Sequence, residues 1–135
     1  MVEITINYKG ELRCQSEHGP SGRTLETDAP VDNNGKGETF SPTDLVAAAL
    51  GSCMATIMGI VAARREISLE GLSIKVGKVM ASDMPRRISE LPVRIEMPMA
   101  GDSPYKSLME NAALTCPVHQ SLHPDIKVPI EWCWR

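Results

Sequence analysis

The chain has 135 residues, a net charge of −3, 42% apolar and 23% charged residues. That is the make-up of one soluble globular domain over residues 1–135, and it excludes disordered, collagen-like and coiled-coil classes. Basic residues come as short pairs, Arg64-Arg65 and Arg86-Arg87, which speaks against a nucleic-acid surface.

Ile4, Ile6 and Tyr8 alternate with polar residues and predict a half-buried strand. A second strand over residues 11–17 and a weaker third over 23–29 follow, with a turn at Gly19-Pro20-Ser21-Gly22. Residues 30–40 read as a glycine-containing loop. Ser41-Pro42 opens a helix, with Ser at the N-cap, Pro at N1 and Asp44 near the positive helix end.

From Leu45 to Ala63 nineteen residues carry no charge, and fifteen of them are apolar. Small residues recur every fourth position, at Ala47, Gly51, Ala55, Gly59 and Ala63, forming a smooth ridge. With strands on both sides in the chain, this predicts a helix buried all round rather than a membrane span. One small domain has few means of covering such a helix, and an intertwined dimer would supply them.

Leu72, Ile74 and Val76 predict a strand to about residue 81, and Leu91, Val93, Ile95 and Met97 share one face of another over 88–97. Ser103-Pro104 repeats the helix-start pattern for a helix to about Thr115. Pro117 breaks it, making Cys116 the N-cap of a short helix over 117–122. Val128, Ile130, Trp132 and Trp134 alternate as a last strand. The order βββ-α-ββ-αα-β predicts an α+β fold with antiparallel sheets around a long central helix.

No basic segment followed by an apolar one opens the chain, which predicts a cytoplasmic protein. There its four cysteines are expected as thiols rather than static disulfides. Cys53 lies mid-helix, where a buried thiol can serve as a small hydrophobe. Cys116 ends an inward face shared with Leu108 and Ala112, and as an N-cap it faces free backbone N–H groups. Such groups lower a thiol pKa, so local physics ranks Cys116 as the more acidic. Cys14 and Cys133 read as strand thiols. Cys116, His119 and His123 have a ligand-like spacing, but one segment broken by two prolines does not fix a tetrahedron, and neither a metal nor an organic cofactor is expected.

Three stretches carry a resemblance: Phe40-Ser41-Pro42-Thr43-Asp44-Leu45, Ala47-Ala48-Ala49-Leu50-Gly51-Ser52-Cys53, and Cys116-Pro117-Val118-His119. In these the chain resembles the OsmC/Ohr family, the osmotically inducible and organic hydroperoxide resistance proteins. The resemblance implies an intertwined homodimer acting as a thiol-dependent peroxidase on organic hydroperoxides. It assigns Cys53 as the thiol that attacks the O–O bond, and Cys116 as the thiol that resolves the sulfenic acid to a disulfide. A dithiol reductant of the lipoyl or thioredoxin type would reset the pair. The family places an arginine beside the reactive thiol, and the best match is Arg13, with Arg23 and Arg87 as competitors.

One position departs from the family pattern. The glutamate that helps hold the arginine falls ten residues before the first cysteine, where this chain has Thr43, and the nearest acid is Asp44. That leaves the orientation of the arginine open. A rival reading keeps the fold without catalysis, as a protein binding a small hydrophobic ligand in a dimer-interface pocket.

Overall fold

The computed structural model describes all 135 residues, whose contacts gather into two units, Met1–Val46 and Ala47–Arg135. In the first unit, β1 (Ile4–Gly10), β2 (Arg13–His18) and β3 (Thr24–Asp28) form an antiparallel meander in that order. Glu11 and Leu12 turn the chain between β1 and β2 with φ of 54° and 65°. Two left-handed residues in succession match the twist of a tight hairpin, but this place normally goes to Asn-Gly. The Leu12 amide donates to the Tyr8 hydroxyl at 3.2 Å, and the register shifts at Gly10, next to the strained pair.

Ile4, Ile6 and Tyr8 lie opposite His18, Ser16 and Cys14, and Ser16 lies opposite Leu25. Cross-strand partners share a sheet face. The four apolar residues therefore form one face, and each is 46–66% exposed.

The long helix α1 (Pro42–Ala63) begins as the local sequence predicts. The Ser41 hydroxyl accepts the Asp44 amide at 3.1 Å, and the Asp44 carboxylate accepts the Ser41 amide at 2.9 Å. This reciprocal pair satisfies two of the amides a helix start leaves free. At the far end Glu66 turns left-handed (φ 55°), while the Ile67 and Glu66 amides donate to Ala62 and Ala63. That closes the helix in a Schellman motif.

Within a single chain the helix is not buried all round. Leu50, Met54, Met58 and Ala62, at four-residue spacing, are at most 2% exposed, whereas Ala49, Ser52, Thr56, Ile60 and Ala63 are exposed. The uncharged stretch conceals a two-faced helix because its outer face is built of small or weakly polar residues. By length and hydropathy α1 could also cross a membrane, but its apolar ridge is one wall of the core of the second unit. The small-residue ridge is engaged only in part: a Cβ on Gly51 would lie 3.0 Å from Val76, and one on Gly59 would meet nothing.

The second unit contains β4 (Ser73–Val76), β5 (Val79–Met80), β6 (Ile88–Glu90), β7 (Val93–Met97), α2 (Lys106–Leu114), α3 (Pro117–Ser121) and β8 (Ile130–Trp134). Each of the two long strands expected here is broken, the first at Gly77-Lys78 and the second at Leu91-Pro92. The Gly77 amide donates to the Pro92 carbonyl at 2.8 Å, so the two breaks face each other. β5 and β6 pair separately, and the main sheet runs β4-β7-β8. Leu91, Val93, Ile95 and Met97 are all at most 2% exposed, as the alternation predicts.

β4 and β7 are antiparallel, but β8 joins β7 in parallel. The named strands otherwise pair antiparallel, as expected. The intervening segment contains α2 and α3, the kind of crossover that returns a strand in parallel. Helix α2 also starts two residues later than predicted, at Lys106, because Ser103 spends its hydroxyl on the Tyr105 amide at 3.2 Å in a preceding turn. Met109, Ala112, Ala113 and Cys116 complete the core of this unit, in which Met54, Met58, Met97 and Met109 are buried.

Candidate active site

Cys116 caps α3 from an extended conformation (φ −61°, ψ 140°) imposed by the following proline. Its Sγ accepts the His119 amide at 3.3 Å, and Pro117 occupies the first helical position. The residue is completely buried, while Cys53, on the α1 turn before Met54, is half-buried. Cys53 is near enough to influence the ionisation of Cys116. All four cysteines are free.

The capping geometry is as predicted, but the lowered Cys116 pKa expected from it is not found. The Cys116 thiol is pushed above its ordinary value, chiefly by burial. The His119 amide pulls it down, the neighbouring Cys53 raises it further, and the Val118 amide lowers it slightly. Burial penalises a thiolate more than two backbone N–H groups reward it. Cys116 is thus held as a thiol, beside a less enclosed Cys53. A neutral thiol behind a more accessible one suits a resolving group rather than an attacking one.

His119 lies one turn after Cys116, and its Nδ1 is buried without a partner. His123 is engaged elsewhere, its Nδ1 accepting the Asp125 amide at 3.1 Å. No three His, Cys, Asp or Glu side chains come together as a metal-holding group.

Two of the three candidate cations, Arg13 and Arg87, are paired with acids. Arg13, the first residue of β2, donates through Nη2 to Glu38 Oε2 at 3.1 Å and lies 3.8 Å from Asp28 Oδ2. Arg87 is tied to its own turn, with Asp83 at 3.1 Å and the Pro85 carbonyl at 2.8 Å. Arg23 is exposed between the turn and β3. Thr43 and Asp44 both belong to the α1 cap, where Thr43 Oγ1 lies 3.2 Å from Ser41 Oγ.

Asp28 and Glu38 were not identified from the sequence. The only available signal was the hairpin register, which sets Asp28 directly opposite Arg13. Of the remaining thiols, Cys14 lies opposite Tyr8, and Cys133 is close enough to Arg94 to raise that guanidinium, ahead of Glu131.

The comparisons with known proteins bear on this arrangement. A profile described as OsmC-like protein matches residues 35–131. The chain belongs to the OsmC-like protein family. Among solved structures it is similar to a Psychrobacter arcticus 273-4 protein provisionally described as an osmotic stress induced and detoxification response protein. That protein is 47% identical, with a TM-score of 0.90 over 98% of this chain and 96% of that one. It shares its fold with an organic hydroperoxide resistance protein OsmC from Legionella pneumophila, at 17% identity and TM-score 0.79 over 98% and 96% of the chains. The organic hydroperoxide resistance protein OhrB of Bacillus subtilis has the same fold, at 18% identity and TM-score 0.68 over 98% and 97%. None of the curated proteins is significantly similar to the chain.

Proposed function

We propose that this OsmC-like protein is a thiol-dependent reductase of organic hydroperoxides. The observation that carries the reading is the meeting of Cys53 and Cys116, far apart in the chain, with the rear thiol fully buried. The Cys53 thiolate attacks the outer peroxide oxygen and the O–O bond breaks. Cys53 becomes a sulfenic acid, and the alkoxide takes a proton to leave as an alcohol. The Cys116 thiol then attacks the sulfenic sulfur. An S–S bond forms, and the hydroxyl leaves with the thiol proton as water. A dithiol reductant, itself oxidised to a disulfide, returns both thiols by exchange.

Arg13 is the proposed activating cation, since arginine stays charged and offers several N–H donors to a thiolate or a peroxide oxygen. Its support is the family resemblance. The working state we propose is a cytoplasmic homodimer. The apolar face of Ile4, Ile6, Tyr8 and Leu25 and the exposed side of α1 are the surfaces a second copy would cover.

A steady-state assay tests the reading. With cumene hydroperoxide and a dihydrolipoyl or thioredoxin-type reductant, the protein should turn over with at least one of them, and Cys53→Ser should abolish turnover. Failure with every dithiol, or full activity in Cys53→Ser, removes the proposal.

A further inference from the structure

The first unit holds a charge cluster built around one buried carboxylate. Asp28 is completely buried at the end of β3. Its Oδ2 accepts the Glu38 amide at 3.2 Å and lies 3.8 Å from Arg13 Nη2. Arg13 Nε and Asp28 Oδ1 are both buried without a partner. One is a donor and the other an acceptor, on side chains whose Cα atoms are paired in the β2–β3 ladder. Nε and Nη2 form one edge of the guanidinium, the edge a carboxylate can meet with both oxygens. Buried polar atoms without partners are costly, and these two satisfy each other if the pair closes.

We infer that Asp28 is the positioning residue for Arg13. This rests on the reading of Arg13 as the activating cation. Glu38 also binds Arg13, but it is 54% exposed, and such a pair is screened and weak. Asp28 has no solvent to turn to, and backbone pairing fixes its distance from Arg13. The strained Glu11-Leu12 turn immediately before Arg13 further limits where its side chain starts. Pairing through Nε and Nη2 leaves Nη1, which makes no bond within the chain, to meet an anion.

The test compares Asp28→Asn, Glu38→Gln, Arg13→Ala and Arg13→Lys in the full chain. It reads the rate of Cys53 oxidation by cumene hydroperoxide and the pH midpoint of Cys53 alkylation. Asp28→Asn should slow oxidation by about tenfold or more, the scale of effect expected from misplacing a reacting group. It should also raise the alkylation midpoint, and add nothing in an Arg13→Ala background. Glu38→Gln should change the rate by less than about threefold, as for an exposed ion pair. Arg13→Lys, which keeps the charge but loses the two-donor edge, should fall nearly as far as Asp28→Asn; this arm decides the matter if Asp28→Asn does not fold.

A purely structural Asp28 would lower the melting temperature and leave the midpoint in place, which overturns the inference. So does a wild-type rate in Asp28→Asn or Arg13→Lys while Arg13→Ala is impaired. A wild-type rate in Arg13→Ala overturns the assignment of Arg13, and the inference with it.

Discussion

The thiol of Cys116 sits at the N-terminus of a short helix, accepts the His119 amide, and neighbours Cys53 on the long helix closely enough for the two to affect each other's ionisation. Burial raises the rear thiol although the helix start favours its anion. This division of labour yields the first two predictions.

Alkylation should separate the pair. At neutral pH iodoacetamide should label Cys53 well before Cys116, because Cys116 is completely buried and held protonated. Mass spectrometry of a time course checks this, and faster labelling of Cys116 would reverse the assigned roles.

The raised Cys116 also makes stability depend on pH. An unfolded thiol ionises near pH ~8.5, whereas the folded Cys116 keeps its proton to higher pH. Above about pH 8.5 the folded state therefore binds more protons than the unfolded state, and stability falls as pH rises toward the folded value. Urea unfolding between pH 7 and pH 10 should show this alkaline loss in the wild type and a shallower one in Cys116→Ala. The variant itself is less stable throughout.

The α1 cap is a second measurable quantity. Ser41 is 1% exposed and shares two hydrogen bonds with Asp44. Ser41→Ala should cost about 1–2 kcal/mol, the upper range for a lost N-cap. Adding Asp44→Ala should cost less than the sum of the two single changes, because both act on one reciprocal pair. Denaturant titrations of the three variants give the answer.

Two glycines of α1 should respond in opposite ways. A Cβ on Gly59 meets nothing, so Gly59→Ala should gain up to about 1 kcal/mol from helix propensity. A Cβ on Gly51 would lie 3.0 Å from Val76 and 3.6 Å from Ile74, so Gly51→Ala must displace packed side chains and should be the less stable variant. Equal stabilities would mean that the β4 side chains move aside freely.

The proposed dimer has a direct test in the first sheet. Ile6→Asp places a charge in the middle of the exposed Ile4, Ile6, Tyr8 and Leu25 face. If that face is the subunit contact, sedimentation should show the wild type as a dimer and the variant shifted toward monomer. A wild type that stays monomeric at micromolar concentration rejects the proposal.

Periodicity made most strands, the capped helix and the Cys116 cap legible, because each depends on neighbours a few residues away. What it missed depends on distant groups. The acidity of Cys116 was misjudged because its burial is set by the tertiary fold and not by its own helix start. The parallel course of β8 was hidden because alternation gives a strand but not its direction. Asp28 went unnoticed because its place opposite Arg13 follows from a hairpin turned by Glu11 and Leu12, residues without a turn signature. The exposed side of α1 was masked by the lack of charge on either face.

The central claim is that two particular sulfur atoms trade a peroxide oxygen for a bond to each other. One equivalent of cumene hydroperoxide, followed by thiol counting and peptide mapping, tests it most directly. The account predicts that two of the four thiols disappear and that one cross-linked peptide pair joins Cys53 to Cys116. Four thiols left intact, or a cross-link through Cys14 or Cys133 instead, would contradict it.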